Sequence, residues 1–217
     1  MPDLEFVPEF LFGEPSGETL PHLLVLAHGA GGAMDSPFLN VIAEQVGAAG
    51  IRVARFEFAY MQATRAEGKR RPPNSAKVLE QSWSTVIEEL IDEGASQLVI
   101  GGKSMGGRIA SMVADAHGVA GLVCLGYPFH PPGKPEKTRT AHLQDLHTPT
   151  LMLQGERDPF GSPDDVAGYD LSPAIEVHWI ADGDHSLKPR KRSGRTEAEN
   201  LREASDAIVA FVSGIDA

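Results

Sequence analysis

Six short apolar runs punctuate the chain at His22–His28, Arg52–Phe58, Gln97–Ile100, Gly121–Leu125, Thr150–Leu153 and Glu176–Ile180. Several are continuous rather than alternating, as in strands covered on both faces. Between most of them the apolar spacing becomes helical, so the order predicts a mostly parallel sheet with helices on both faces. An earlier run, Phe6–Phe12, leads into Gly13-Glu14-Pro15-Ser16-Gly17 and predicts an antiparallel edge strand followed by a turn.

The helices have readable faces and ends. Leu79, Trp83, Val86, Ile87, Leu90 and Ile91 share one face, with Asn74 or Ser75 as N-cap and Gly94 as terminator. That register makes Trp83 a core residue rather than a binding aromatic. Further helices are predicted over 36–48, 105–118 and 197–212, the last turning Leu201, Ala204, Ile208, Phe211 and Val212 inward. Met61–Pro73 and His130–Thr148 lack a period and are expected to be loops, with one short helix possible near 140–146. Neither is long enough for a helical cap of about 50 residues, so a shallow, open site and a single domain over 1–217 are expected.

Composition narrows the class. A net charge of -11 argues against nucleic acid as main partner, because a phosphate backbone needs clustered Lys and Arg. No basic-then-apolar start is evident in Met1-Pro2-Asp3-Leu4-Glu5-Phe6, and no run approaches about 18 apolar residues, so a cytoplasmic protein without a membrane partner is expected. Cys124 stands alone in Gly121-Leu122-Val123-Cys124-Leu125 and is read as a buried small side chain.

The chemistry-bearing signal is Gly102-Lys103-Ser104-Met105-Gly106, directly after Leu98-Val99-Ile100-Gly101. A strand ending in G-x-S-x-G and turning at once into a helix has the pattern of a nucleophile elbow. Two rival readings of the glycines fail. A phosphate loop needs glycine where Gln97 stands, and a dinucleotide fingerprint at His28-Gly29-Ala30-Gly31-Gly32 needs one where Met34 stands, with an acid among Val53 to Phe56.

A serine hydroxyl needs a base, and the base needs an orienting group. In strand-elbow enzymes these follow in the order serine, acid, histidine, each in the loop after a later strand. Gln154-Gly155-Glu156-Arg157-Asp158-Pro159-Phe160 follows one such strand, and Ala181-Asp182-Gly183-Asp184-His185-Ser186 follows another. Asp158 is favoured as the acid, with Glu156, Asp182 and Asp184 as competitors; His185 is favoured among the histidines. His28 is read as a support of its glycine loop, and His142 and His147 show no ligand spacing, so neither a metal nor another cofactor is expected.

With these four motifs in register, the chain resembles the α/β-hydrolase superfamily over most of its length: His28 to Gly32 as oxyanion loop, Gly102 to Gly106 as elbow, Gly155-Glu156-Arg157-Asp158 as acid loop and Gly183-Asp184-His185 as histidine loop. The compact layout resembles the dienelactone-hydrolase-like branch, although dienelactone hydrolase has a cysteine nucleophile where Ser104 stands. The run Gly-Lys-Ser-Met-Gly-Gly, together with Arg70-Arg71-Pro72-Pro73-Asn74, resembles a subfamily named for a testis-expressed protein. The resemblance implies Ser104 as nucleophile, His185 as base, Asp158 as its orienting acid, and the amides of Ala30 and Met105 as oxyanion hole. A serine hydrolase acting on small esters, thioesters or related acyl bonds is therefore expected. The alternative is a catalytically silent binding or scaffold module of the same fold.

Basic residues gather where this fold would set them around the serine: Lys103 beside it, Arg65, Lys69, Arg70 and Arg71 in one loop, and Lys188, Arg190, Lys191 and Arg192 in another. Lys103, Arg70 and Arg71 are accordingly candidate contacts for an anionic substrate, against the plainer reading of solvated surface charge.

Overall fold

The structure is a computed structural model that describes residues 6–13, 15–16 and 19–215. Seven strands form one sheet: β1 (Phe10–Gly13), β2 (His22–Ala27), β3 (Arg52–Phe56), β4 (Gln97–Lys103), β5 (Gly121–Leu125), β6 (Thr150–Gly155) and β7 (Ile175–Ile180). Their spatial order is β1-β3-β2-β4-β5-β6-β7, with only β1 antiparallel to its neighbour. The expected edge strand is therefore present, starting at Phe10; the turn expected after it lies partly outside the described residues.

Period-two alternation divides the strand side chains between two apolar layers. On one face Leu23, Val25, Ala54, Phe56, Leu98, Ile100, Leu122 and Cys124 meet α3 (Ala76–Asp92) and α4 (Met105–His117). On the other, Leu24, Leu26, Val53, Val99, Val123 and Leu151 meet α1 (Pro37–Ala48) and α6 (Glu197–Ser213). Cys124 is fully enclosed, and burial pushes its thiol pKa well above the ordinary range.

Three departures from the sequence reading have physical causes. The segment expected to be a loop from Met61 begins as a helix, α2 (Ala59–Glu67), in which only Tyr60 is buried. Its support is polar: Thr64 bonds the Tyr60 carbonyl, Arg71 pairs with Glu67, and Gly68 closes it in the left-handed region. No apolar period exists there to be read. Ile91 of α3, expected on the inward face, stays 49% exposed, so the inward stripe is narrower than its spacing suggested. Strand β4 runs on to Lys103 because Gly101 and Gly102 let neighbours approach: a Cβ would stand 2.0 Å from the Val123 carbonyl oxygen at Gly101 and 2.3 Å from that of Ala27 at Gly102.

The long connection after β5 contains one 3₁₀ turn, Ala141–Leu143, and a four-residue helix α5 (Pro163–Val166) follows β6. No inserted cap stands over the carboxyl edge among the described residues, and no helix of these residues is long and apolar enough to cross a membrane.

Trp83 joins α3, the sheet and α4. It is fully buried, meets Phe56 edge-on at 4.7 Å and donates from Nε1 to the Gly106 carbonyl at 3.3 Å. Trp83→Ala is expected to cost about 3–5 kcal/mol of stability, measured by urea denaturation. A loss below about 1 kcal/mol, the scale of a surface substitution, would contradict this account.

Candidate active site

Ser104 joins β4 to α4 with φ 51° and ψ −114°, a region that residues with side chains rarely occupy. Its amide is held by the Leu125 carbonyl at 2.9 Å. On the helix side, a Cβ at Gly106 would stand 2.6 Å from the Ala27 carbonyl oxygen, and one at Gly107 2.6 Å from that of Gly102. The first turn of α4 thus lies on the ends of β2 and β4, and the bend leaves Ser104 at the carboxyl edge.

There the structure brings together three side chains from separate loops. His185 Nε2 lies 2.9 Å from Ser104 Oγ, and His185 Nδ1 lies 2.7 Å from Asp158 Oδ2. Asp158 is 1% exposed and accepts two further bonds, from Gln154 Nε2 at 3.0 Å and the Phe160 amide at 2.9 Å. Phe160 also packs its ring on that of His185 at 4.3 Å. The loops meet because residue 155 is glycine: a Cβ there would lie 2.4 Å from the carbonyl oxygens of Gly183 and Asp184.

The competing acids are occupied elsewhere. Glu156 accepts the Asp182 amide; Asp182 binds Arg190 and Arg157, its carboxyl held down at about 2 chiefly by Arg190; Asp184 accepts the amides of Ser186 and Lys188. His28 is buried between the Gly29 carbonyl, 2.7 Å from Nδ1, and the Phe58 amide, 3.2 Å from Nε2. Burial lowers its pKa, so it ties the glycine loop to the exit of β3 as an uncharged ring.

That loop faces the serine, a Cβ on Gly29 falling 3.6 Å from Ser104 Cβ. Among the described residues, the amides of Ala30 and Met105 donate to no protein acceptor. Tyr60, which the sequence did not single out, sets its hydroxyl 3.2 Å from the Ala30 carbonyl and 3.4 Å from that of Gly29, holding the loop's peptides in place. Gln154 was missed as well. Fully buried, it bonds Tyr127 through both amide and carbonyl, Gly161, and Asp158. An amide side chain at the end of a buried strand was the available signal.

The candidate cations are scattered. A cleft of about 280 Å³ beside the glycine loop is lined by Ala30, Gly31, Ala33, Met61, Thr64, Arg70 and Arg71. Arg71 is paired with Glu67, and Arg65 with Asp35 and Glu57; Lys188 is paired with Glu197 and Arg190 with Asp182. Arg70 is exposed and without an ion pair among the described residues. Four of the nine cations that the sequence gathers around the serine are thus paired with neighbouring carboxylates. Lys103 does not line that cleft. It runs to the α1 face, where Nζ bonds the His185 carbonyl and lies 5.6 Å from the Phe38 ring centroid. A further depression of about 180 Å³, lined by His22, Arg52 and Ser96 among others, sits at the amino ends of the strands, away from Ser104.

Comparison with known proteins agrees with this architecture. The family described as alpha/beta hydrolase domain matches residues 21–213. The fold is shared with dienelactone hydrolase from Anabaena variabilis at 19% identity, over 97% of this chain and 93% of that one, with a TM-score of 0.74. It is shared equally with an α/β serine hydrolase without lid from Xanthomonas campestris, at 19% identity over 94% and 88% of the two chains and a TM-score of 0.72. An α/β serine hydrolase homologue from Coxiella burnetii gives 18%, 94%, 90% and 0.72 in the same order.

Burial pushes the Lys103 pKa down from 10.5 to about 8, against the pull of Asp158 and Asp184. Below pH 8 both folded and unfolded chains hold the proton and the cost of burial is fully present. Between about 8 and 10.5 the unfolded chain binds the proton that the folded chain has released, so stability rises with pH. Wild type is expected to gain on Lys103→Met over that window. Urea denaturation of both at about pH 7.5 and 9.5 checks this, and a constant difference would count against it.

Proposed function

Because the chain belongs to the alpha/beta hydrolase family, we propose that it is a serine hydrolase, cleaving small carboxylic esters, thioesters or related acyl bonds through an acyl-enzyme intermediate. The observation that carries this reading is the continuous hydrogen-bonded path from Asp158 through His185 to Ser104.

In the proposed cycle Ser104 Oγ attacks the acyl carbon while His185 Nε2 takes its proton. The buried Asp158 keeps Nδ1 protonated and stabilises the imidazolium that forms. The carbonyl oxygen becomes an oxyanion facing the amides of Ala30 and Met105, each worth about 3 kcal/mol in reactions of this kind. Collapse of the intermediate expels the alcohol or thiol, which receives the proton from His185. Water, deprotonated by the same ring, then releases the acid and restores the serine. The unbonded amide of Ala30, in a loop whose Gly29 and Ala30 carbonyls meet the Tyr60 hydroxyl, supports the oxyanion assignment.

Arg70, exposed in the cleft beside Ala30 and Gly31, is a candidate contact for an anionic leaving group or acyl chain, and Arg71 is available only by releasing Glu67. A cytoplasmic location belongs to the same proposal. The likeness to the testis-expressed subfamily rests on sequence motifs alone.

A fluorophosphonate probe is expected to label wild type and not Ser104→Ala. On a panel of neutral esters and thioesters, Ser104→Ala is expected to lose kcat by a factor on the order of 10⁴ or more. A folded wild-type sample that neither takes the label nor turns over the panel would favour the silent scaffold instead.

A further inference from the structure

Two half-buried arginines, Arg108 in the first turn of α4 and Arg139 in the loop after β5, are linked by one hydrogen-bonded chain through Ser111, His142 and Tyr127. Arg108 stands one helical turn beyond Ser104, its amide bonded to the Ser104 carbonyl at 3.0 Å. Arg139 is held at the other side by the Tyr127 hydroxyl, which lies 3.2 Å from its carbonyl, and by its own amide on the Phe129 carbonyl at 2.7 Å.

The groups between them are satisfied by one another. Ser111 Oγ donates to the Arg108 carbonyl at 2.7 Å, which leaves its lone pairs for His142 Nε2–H at 2.8 Å. Burial first, and the Arg108 charge second, lower the His142 pKa, so this ring is not a third cation. The guanidiniums are not satisfied in this way. Arg108 Nε is shut off from water and has no partner, while the Arg139 head reaches only the Pro128 carbonyl, 3.4 Å from Nη1. Neither forms an ion pair among the described residues, although Arg65, Arg71, Arg190 and Arg195 each hold a carboxylate. Burial and then the nearby Arg108 charge lower the Arg139 pKa, the direction expected of two like charges with no acid between them. Keeping such a pair partly out of water is unfavourable unless an anion meets it.

We infer that Arg108 and Arg139 form a carboxylate subsite for the acyl substrate, so that half-esters or half-thioesters of dicarboxylic acids are preferred over neutral acyl chains. The inference deepens the hydrolase reading and rests on it. The placement suits the role: Arg139 lies in the loop after β5, the neighbour of β4, and Arg108 sits on the turn of α4 that Ser111 ties to that loop, whereas Arg70 and the glycine loop follow β3 and β2. A guanidinium fork matches a carboxylate in two parallel hydrogen bonds, which fixes direction as well as charge.

The test compares kcat/KM for the mono-4-nitrophenyl ester of adipic acid with that for 4-nitrophenyl hexanoate. Wild type is expected to favour the adipate ester, and the ratio is expected to fall about tenfold or more in Arg108→Gln and in Arg139→Gln, the loss of one charge-assisted pair. Using the ratio removes changes in folded fraction, and Arg139→Gln alters only a loop residue if Arg108→Gln fails to fold. No preference in a wild type that cleaves hexanoate overturns the inference and leaves the hydrolase reading intact. A preference abolished by Arg70→Gln and untouched by the other two overturns it as well. Independently of turnover, monomethyl adipate is expected to raise the Tm of Ser104→Ala, and not that of Ser104→Ala carrying Arg108→Gln and Arg139→Gln. An equal rise in both would also overturn the assignment.

Discussion

Backbone meets backbone at the carboxyl edge of the sheet, and that contact is possible only where a Cβ is missing. Gly101, Gly102, Gly106 and Gly107 let β4 and the start of α4 press against Ala27, Val123 and each other at distances that no side chain would allow. Gly155 does the same between the acid and histidine loops. The serine bend is strained by about 1–3 kcal/mol at a positive φ, so it persists only because both flanks are locked. Release at any of these points would move Oγ, the acid loop or the imidazole by more than a hydrogen bond tolerates.

Charge is handled in the same local manner. The chain has 30 acidic against 19 basic residues, yet one carboxylate meets the imidazole that faces Ser104. Asp158 is held for it by Gln154 on Oδ2 and the Phe160 amide on Oδ1, which fix the carboxylate with Oδ2 turned toward Nδ1. Lys103 adds a buried cation behind that ring. Its bond to the His185 carbonyl fixes the loop's backbone and leaves the imidazole nitrogens free for Ser104 and Asp158.

Much of this was legible, and the rest failed for identifiable reasons. Strands buried on both faces read as continuous apolar runs, and loops in the order serine, acid, histidine must all leave one edge of a parallel sheet, so Ser104, Asp158 and His185 could be drawn together from spacing. Asp158 was favoured from the order of loops, but what occupies Glu156, Asp182 and Asp184 instead is turn geometry that spacing does not encode. Helix α2 was invisible because polar pairs stabilise it. Lys103 is instructive in another way. Alternation through Val99 and Gly101 puts it on the α1 face, so its absence from the cleft followed from strand parity once β4 was known to continue past Ile100.

An edge without a cap sets a condition on selectivity. Water reaches such a site, and an exposed ion pair in water is worth about 0–1 kcal/mol, too little for Arg70 alone to separate charged from neutral chains by a large factor. A guanidinium held partly out of water is screened far less. Any discrimination by charge in an open site has to come from groups that the fold has already desolvated; Arg108, with its enclosed Nε, and the half-buried Arg139 meet that condition. For Arg108 that desolvation follows from the same packing that builds the elbow, since the helix that carries Ser104 at its head places Arg108 one turn later, where Ser111 of the same helix meets His142 of the loop after β5.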